Sequence, residues 1–209
     1  MKGLLFLGVF IAPFYFSQTT DSVQVTSIKA VEFTKRTPVA KSIINVDKEL
    51  ADKNLGQDLP ILLKNQMSVI STSDAGNGVG YTGLRIRGTA GTSINVMLNG
   101  VPYNDSESQG TFFVNVPDLT SSASQIVIQR GVGSSSNGVS AFGASVNVIS
   151  RDPSDTFSVR TDDSYGSFNT YKYSAEVNSG KFWKNRLSVM GRYTHIHSDG
   201  FIDRAFSDL

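Results

Sequence analysis

The sequence predicts an α+β domain, a small mixed sheet with short helices, followed by the first antiparallel strands of an incomplete outer-membrane β-barrel. Three observations predict it. Between residues 39 and 150, short runs alternate apolar and polar side chains and are separated by glycine turns and a leucine-rich stretch. Beyond Pro153 the runs lengthen, and aromatics gather near their ends, as in strands with one face in lipid. At the N-terminus, Lys2 precedes an apolar stretch from Leu4 to Phe16, with the length and flank of a secretory signal and too short to span a bilayer.

Taken in order, residues 1–17 read as the signal peptide, with cleavage expected near Ser17-Gln18. Residues 18–38 read as a flexible polar arm in which Val23 and Val25 alternate with polar neighbours. Residues 39–152 form the α+β domain. It opens with the strand "KSIINV", then a short helix "DKELADK" with Asp47 as its expected cap. In "NLGQDLPILLKN", Leu55, Leu59, Leu62 and Leu63 fall on one helical face. Asn54 and Gln57 resemble a capping box, Pro60 distorts the first turn, and Gly56 absorbs the strain. "STSDAGNGVGYTG" reads as a loop. Its G-x-G-x-x-G spacing precedes a strand instead of opening a helix, so it fails as a dinucleotide site. "GLRIRG" and "INVMLNG" read as two strands with a glycine turn between them, and "SQIVIQRG" and "ASVNVIS" as two more. From residue 153 to 209, runs through Phe157–Val159, Tyr171–Val177 and Leu187–Tyr193 read as three barrel strands, and three strands do not close a membrane barrel.

Composition excludes several functions. Nineteen Lys and Arg against 18 Asp and Glu give a net charge of +1, and no basic stripe suggests nucleic acid. The absence of cysteine removes disulfides, thiolate metal sites and a cysteine nucleophile. His195 and His197 share a strand face but lack a third ligand, so no metal site is expected; nor is a cofactor or a catalytic constellation.

In this order and spacing, "SIINVDKEL", "LGQDLPILLKN", "GLRIRG", "VMLNGVPYND", "SQIVIQRG" and "GVSAFGASVNVIS" resemble the plug of TonB-dependent outer-membrane receptors. "SYGSFNTYKYSAEVNSGK" and "HSDGFIDRAFSDL" are similar to their first barrel strands. Met67, Asn99 and Ala144 depart from the residues common there (proline, aspartate and glycine), without threatening the fold. The resemblance implies a plug inside a barrel of about 22 strands in the outer membrane. It implies uptake of a scarce ligand, most simply a ferric siderophore or similar iron chelate, driven through TonB. Cobalamin, haem or glycan receptors of the same family, a free periplasmic plug-like module, and a secreted β-rich hydrolase are the alternatives.

The resemblance also implies roles. Val23, Gln24, Val25 and Thr26 match the TonB box, an extended segment that pairs by β-augmentation; a plain linker is the other reading. Arg85, Arg87 and Arg130 match plug arginines that face acidic groups on the barrel wall; solvated strand arginines are the other reading. The loop bearing Tyr103, Asn104, Asp105, Glu107, Gln109, Phe112 and Phe113 falls on the ligand side, or is an ordinary polar surface loop.

Overall fold

The computed structural model describes residues 40–132, 141–184 and 186–209. The expected signal peptide, the arm and the Val23–Thr26 box lie outside the described residues. The α+β domain that resembles a plug begins with β1 (Ala40–Asn45), α1 (Val46–Glu49), a 3₁₀ turn (Ala51–Lys53) and α2 (Leu59–Leu62). Next come β2 (Val69–Ser73), β3 (Thr82–Ile86), β4 (Ile94–Leu98), β5 (Val101–Pro102), β6 (Ala123–Arg130) and β7 (Ala144–Ser150). Strands β1-β6-β7-β4-β5 form one mixed sheet, β2 and β3 a separate ribbon.

The two-residue period sets which face is buried. Across the larger sheet, Ile44, Ile126, Val148 and Leu98 form one row, and Ile128, Val146 and Val96 the next. Leu59, Leu63, Val69, Leu84, Ile86 and Phe113 pack with those rows in one core. β4 and β7 run parallel, while the other neighbours are antiparallel.

Several sequence expectations are corrected. α1 is capped by Asn45, not Asp47: Asn45 Oδ1 accepts from the Lys48 N–H (3.2 Å), and Glu49 Oε1 accepts from the Asn45 N–H (2.9 Å). Asn54 and Gln57 form no capping box, because each bonds within its own turn, to the N–H of Gly56 and of Leu55. Leu55 is exposed, since α2 starts four residues later; Pro60 fits in the first turn, where its missing N–H has no helical partner to lose. Gly56 takes φ +98°, a conformation that glycine alone adopts freely. β2 hides in what reads as loop, because its strand polarity is uneven and glycines follow it. β3 and β4 do not share a sheet: β3 pairs only with β2.

After residues 151–156, which form no strand, β8 (Phe157–Gly166), β9 (Thr170–Ser179), β10 (Met190–Ser198) and β11 (Ser207–Asp208) make a four-stranded antiparallel sheet. Leu187 and Val189 precede β10. Its polarity is inverted relative to a soluble sheet. Tyr173, Val177, Val159, Tyr165 and Tyr193 are exposed, while Lys172, Ser174, Asn178 and Ser198 are buried, Lys172 against Asp118 of the plug. No described helix is long and apolar enough to cross a membrane.

Candidate functional site

The plug meets the four-stranded sheet through a buried charge cluster centred on Asp118. Pro117 and Asp118 turn the chain before a short 3₁₀ segment, and Asp118 takes φ +51°, which a short polar side chain tolerates. Its carboxylate accepts from five side chains. Oδ1 takes Lys172 Nζ (2.9 Å), Asn54 Nδ2 (3.2 Å) and Ser121 Oγ (2.5 Å). Oδ2 takes Arg192 Nη1 (2.6 Å) and Thr194 Oγ1 (3.2 Å), and Arg192 Nη2 also donates to the Asp118 carbonyl (3.1 Å). Burial alone would raise the Asp118 pKa, but Lys172, Ser121 and Arg192 outweigh it and hold the carboxyl below its usual range. Lys172 and Arg192 face it because they share the inward side of the strands: Arg192 lies across from Glu176, and Thr194 from Ser174.

A second set of ion pairs lies beside it. Asp47 of α1 pairs with Arg151 (2.5 Å) and with Arg160 of β8 (3.5 Å); Arg160 also pairs with Asp162 (3.2 Å), and Arg151 approaches Glu176 (4.0 Å).

The glycine-rich segment between β2 and β3 lies under the strand loops. Phe201 packs edge-on against Phe168 of the β8–β9 turn (centroids 5.3 Å apart), and its N–H donates to Ala75 O (3.4 Å). The segment is anchored from below by Asp58, whose N–H donates to Gly78 O (2.9 Å) and whose Oδ2 accepts from Thr82 Oγ1 (2.9 Å). Asp58 is almost wholly buried, and that burial raises its pKa to about 6 against the opposing bonds from Thr82 and Gly80. Beside this segment is an open cavity of about 520 Å³ lined by Asp74, Val79, Tyr81, Val114 and Phe206.

The arginines singled out from the sequence fall in three settings. Arg85 is exposed on β3. Arg87 is exposed in the turn after β3, at φ +53°. Arg130 sits on the core face of β6 and is buried, where Nε donates to Met67 O (2.8 Å) and Nη1 to Ser42 Oγ (2.7 Å). Among the described residues none of the three pairs with a carboxylate. At Asp118 the plug–strand pairing has the reverse polarity, acid on the plug and bases on the strands. The only sequence signal for it was the placement of Lys172 and Arg192 at even, inward positions.

The loop after β5 divides likewise. Asn104 completes the edge of β4: Oδ1 accepts from Val96 N–H (2.8 Å), and Nδ2 donates to Ile94 O (2.9 Å) and Gln109 O (2.8 Å). Phe113 is buried in the core. Asn104 thus holds the edge of β4, and Phe113 belongs to the core. Asp105 caps its own turn through Ser108 N–H (2.7 Å) and Oγ (2.8 Å), which lower its pKa. Glu107, Gln109 and Phe112 are exposed, and Tyr103 is half-buried. The glycine segment and Tyr81, read from sequence as a plain loop, adjoin the cavity of about 520 Å³. Among the described residues no group of His, Asp or Glu has the geometry to hold a metal.

A family model described as TonB-dependent Receptor Plug Domain matches residues 34–145. No curated protein matches the chain. Among solved structures, P. aeruginosa FpvA bound to a heterologous pyoverdine is similar at 13% identity and a TM-score of 0.62, over 79% of this chain and 21% of that one. The alcaligin outer membrane receptor FauA from Bordetella pertussis is similar at 16% identity and a TM-score of 0.62, over 79% and 27%. The copper transporter OprC is similar at 17% identity and a TM-score of 0.61, over 83% and 26%. At these identities the likeness is one of fold, and the chain spans about a fifth to a quarter of each structure's length.

Proposed function

The chain belongs to the TonB-dependent receptor plug domain family, and from that membership we propose that it serves active uptake of an iron chelate across the outer membrane, with TonB as the source of energy. The observation that carries this reading is the inverted four-stranded sheet, apolar outside and polar toward the plug. A sheet facing water has no reason to expose Val159, Tyr165, Val177 and Tyr193 while burying Lys172; a sheet facing lipid does. Along β8 that face carries Phe157, Val159, Thr161, Asp163 and Tyr165, apolar at its two ends with one charge between them.

In this proposal the ligand enters on the side of the glycine segment, where Tyr81, Phe206 and Phe112 offer aromatic surface and Glu107 and Gln109 offer polar contacts. Arg85 and Arg87 meet wall carboxylates outside these four strands, and Val23–Thr26 pairs with TonB. An iron chelate is favoured because similar folds include receptors named for pyoverdine and alcaligin. The test is uptake of radioactive ferric chelates by iron-limited cells with and without the gene, and with and without TonB. Loss of uptake of one chelate in both backgrounds is the expected result. Normal ferric uptake with a selective loss of copper would overturn the iron reading in favour of the metal named for OprC.

A further inference from the structure

We infer that the turn between β9 and β10, residues 180–189, is a docking site for the headgroup of an anionic glycerophospholipid, with Trp183 at the edge of the acyl chains and Lys184 and Arg186 on the phosphate. This rests on the membrane reading of the four-stranded sheet above, since the turn needs a bilayer beside it.

The turn is closed and fastened. Phe182 N–H donates to Leu187 O (2.8 Å), Leu187 N–H to Phe182 O (3.3 Å) and Arg186 N–H to Trp183 O (3.3 Å). Just before β8, Asp155 holds it twice: its carbonyl accepts from Lys181 N–H (2.9 Å) and its carboxylate pairs with Lys181 Nζ (2.8 Å). The tip therefore keeps a fixed place at one end of the sheet. There Trp183 and Lys184 take φ +47° and +57°. Turns with two such residues ordinarily use asparagine and glycine, because a bulky side chain is strained in left-handed backbone. Trp183 is 76% exposed and Lys184 is exposed as well, so packing within the fold accounts for neither. Strain held at an exposed tip points to what the tip meets.

Two features identify that neighbour. The first is apolar. Phe157, Val159, Val177, Leu187 and Val189 are all exposed and lead up to the turn, with Val159 across from Val177 and Phe157 across from Ser179. An indole at the end of such a run stands where an interfacial anchor stands, ring toward the chains and N–H toward water.

The second is charge. Lys181, Lys184 and Arg186 place three cations within six residues. Asp155 answers Lys181, and among the described residues no carboxylate pairs with Lys184 or Arg186. The far end of the same strands is the opposite, with Asp163, Asp199, Asp203 and Asp208 exposed against Arg204. An anionic headgroup is thus drawn to one end of the sheet and repelled at the other. One phosphate suits a lysine point charge beside an arginine fork. A zwitterionic headgroup brings a cation of its own against them.

The test reads tryptophan emission quenched by lipid. The full-length protein is reconstituted in phosphatidylethanolamine vesicles that carry an equal minority of brominated phosphatidylglycerol or brominated phosphatidylethanolamine. Subtracting the signal of Trp183→Phe isolates residue 183. Phosphatidylglycerol should quench well beyond its bulk share. Lys184→Gln and Arg186→Gln should each lower that preference about fivefold, the weight of one basic residue near an anionic surface, and salt should weaken it. Arg204→Gln, at the acidic end, should leave it unchanged. Equal quenching by the two lipids, or a preference that survives Lys184→Gln with Arg186→Gln, overturns the inference and leaves the membrane reading standing. Displacement of phosphatidylglycerol by lipopolysaccharide at equal phosphate overturns it in favour of the saccharide lipid. Absence of quenching by either lipid overturns the membrane reading with it.

Discussion

Asp118 and Asp58 are both buried carboxyls, and their surroundings drive them in opposite directions. Asp118 is held below the usual range by two cations that outweigh its burial. Its contribution to stability is therefore complete above the ordinary carboxylate pKa and is lost as pH falls through its own depressed value. Asp118→Ala leaves Lys172, itself buried, without its carboxylate, and should cost about 3–5 kcal/mol in denaturant titration at neutral pH. Among the described residues no cation pairs with Asp58, and its carboxyl is raised from 3.8 to about 6. The native state gains stability as pH falls through 6, and the gain is complete below 3.8. The shift of roughly two units corresponds to at most about 3 kcal/mol. Asp58→Asn should remove that pH dependence and stabilise the protein at pH 8, because the amide oxygen still accepts from Thr82 without a charge to bury. Unfolding midpoints across pH 4–8 check both signs.

At the scale of elements, what the sequence made legible follows from period. β9 carries strict alternation, while β1, β4, β6 and β7 keep one apolar face despite adjacent apolar pairs such as Ile43-Ile44, Met97-Leu98, Val127-Ile128 and Val148-Ile149, and each appears where its apolar run places it. β2 does not: Ser71, Thr72 and Ser73 supply no apolar contrast, and only pairing with β3 makes a strand of them. The plug–strand contact was illegible for a different reason. Arg85 and Arg87 are conspicuous within their motif, but Asp118 gains its importance from Lys172 and Arg192, 54 and 74 residues away, and no local pattern encodes that meeting. The strand pair depends on one backbone approach that no side chain tolerates. A Cβ on Gly180 would lie 2.6 Å from Phe157 N and 2.7 Å from Thr156 C, at φ +67°. Gly180→Ala should cost about 2–4 kcal/mol, from steric overlap and a strained φ together. Hydrogen exchange should localise the loss to the start of β8 and the end of β9. Asn45→Ala, by contrast, removes a single cap and should cost about 1 kcal/mol.

At the scale of the whole molecule, the two faces of β9 should answer differently to the same kind of change. Under the proposed membrane setting, Ala175→Arg places a charge on the outward face between the aromatic ends and should cost about 2–4 kcal/mol of assembly in lipid. The same change should alter little in denaturant-free micelles loose enough to admit water. Ser174→Ala, one residue along and facing the plug, loses only a hydroxyl contact with Thr194 and should assemble normally. Heat-modifiable migration of the assembled protein distinguishes the two.

The register of β1 on β6 has a consequence in time. Ala40 is paired with Arg130, 90 residues further along the chain, whereas β8 and β9 are joined by a turn of three residues. A loop that long is slow to close and gains nothing until β6 has been made. β1 thus leaves the ribosome well before β6 yet is among the last of these strands to find its neighbour, and until then its Ile43 and Ile44 are open to any passing strand edge. Pulse-labelled exchange during refolding should find the amides of β8 and β9 protected early and those of β1 late. A chaperone that holds extended apolar segments should shorten the list of misfolded products more than it hastens the correct one.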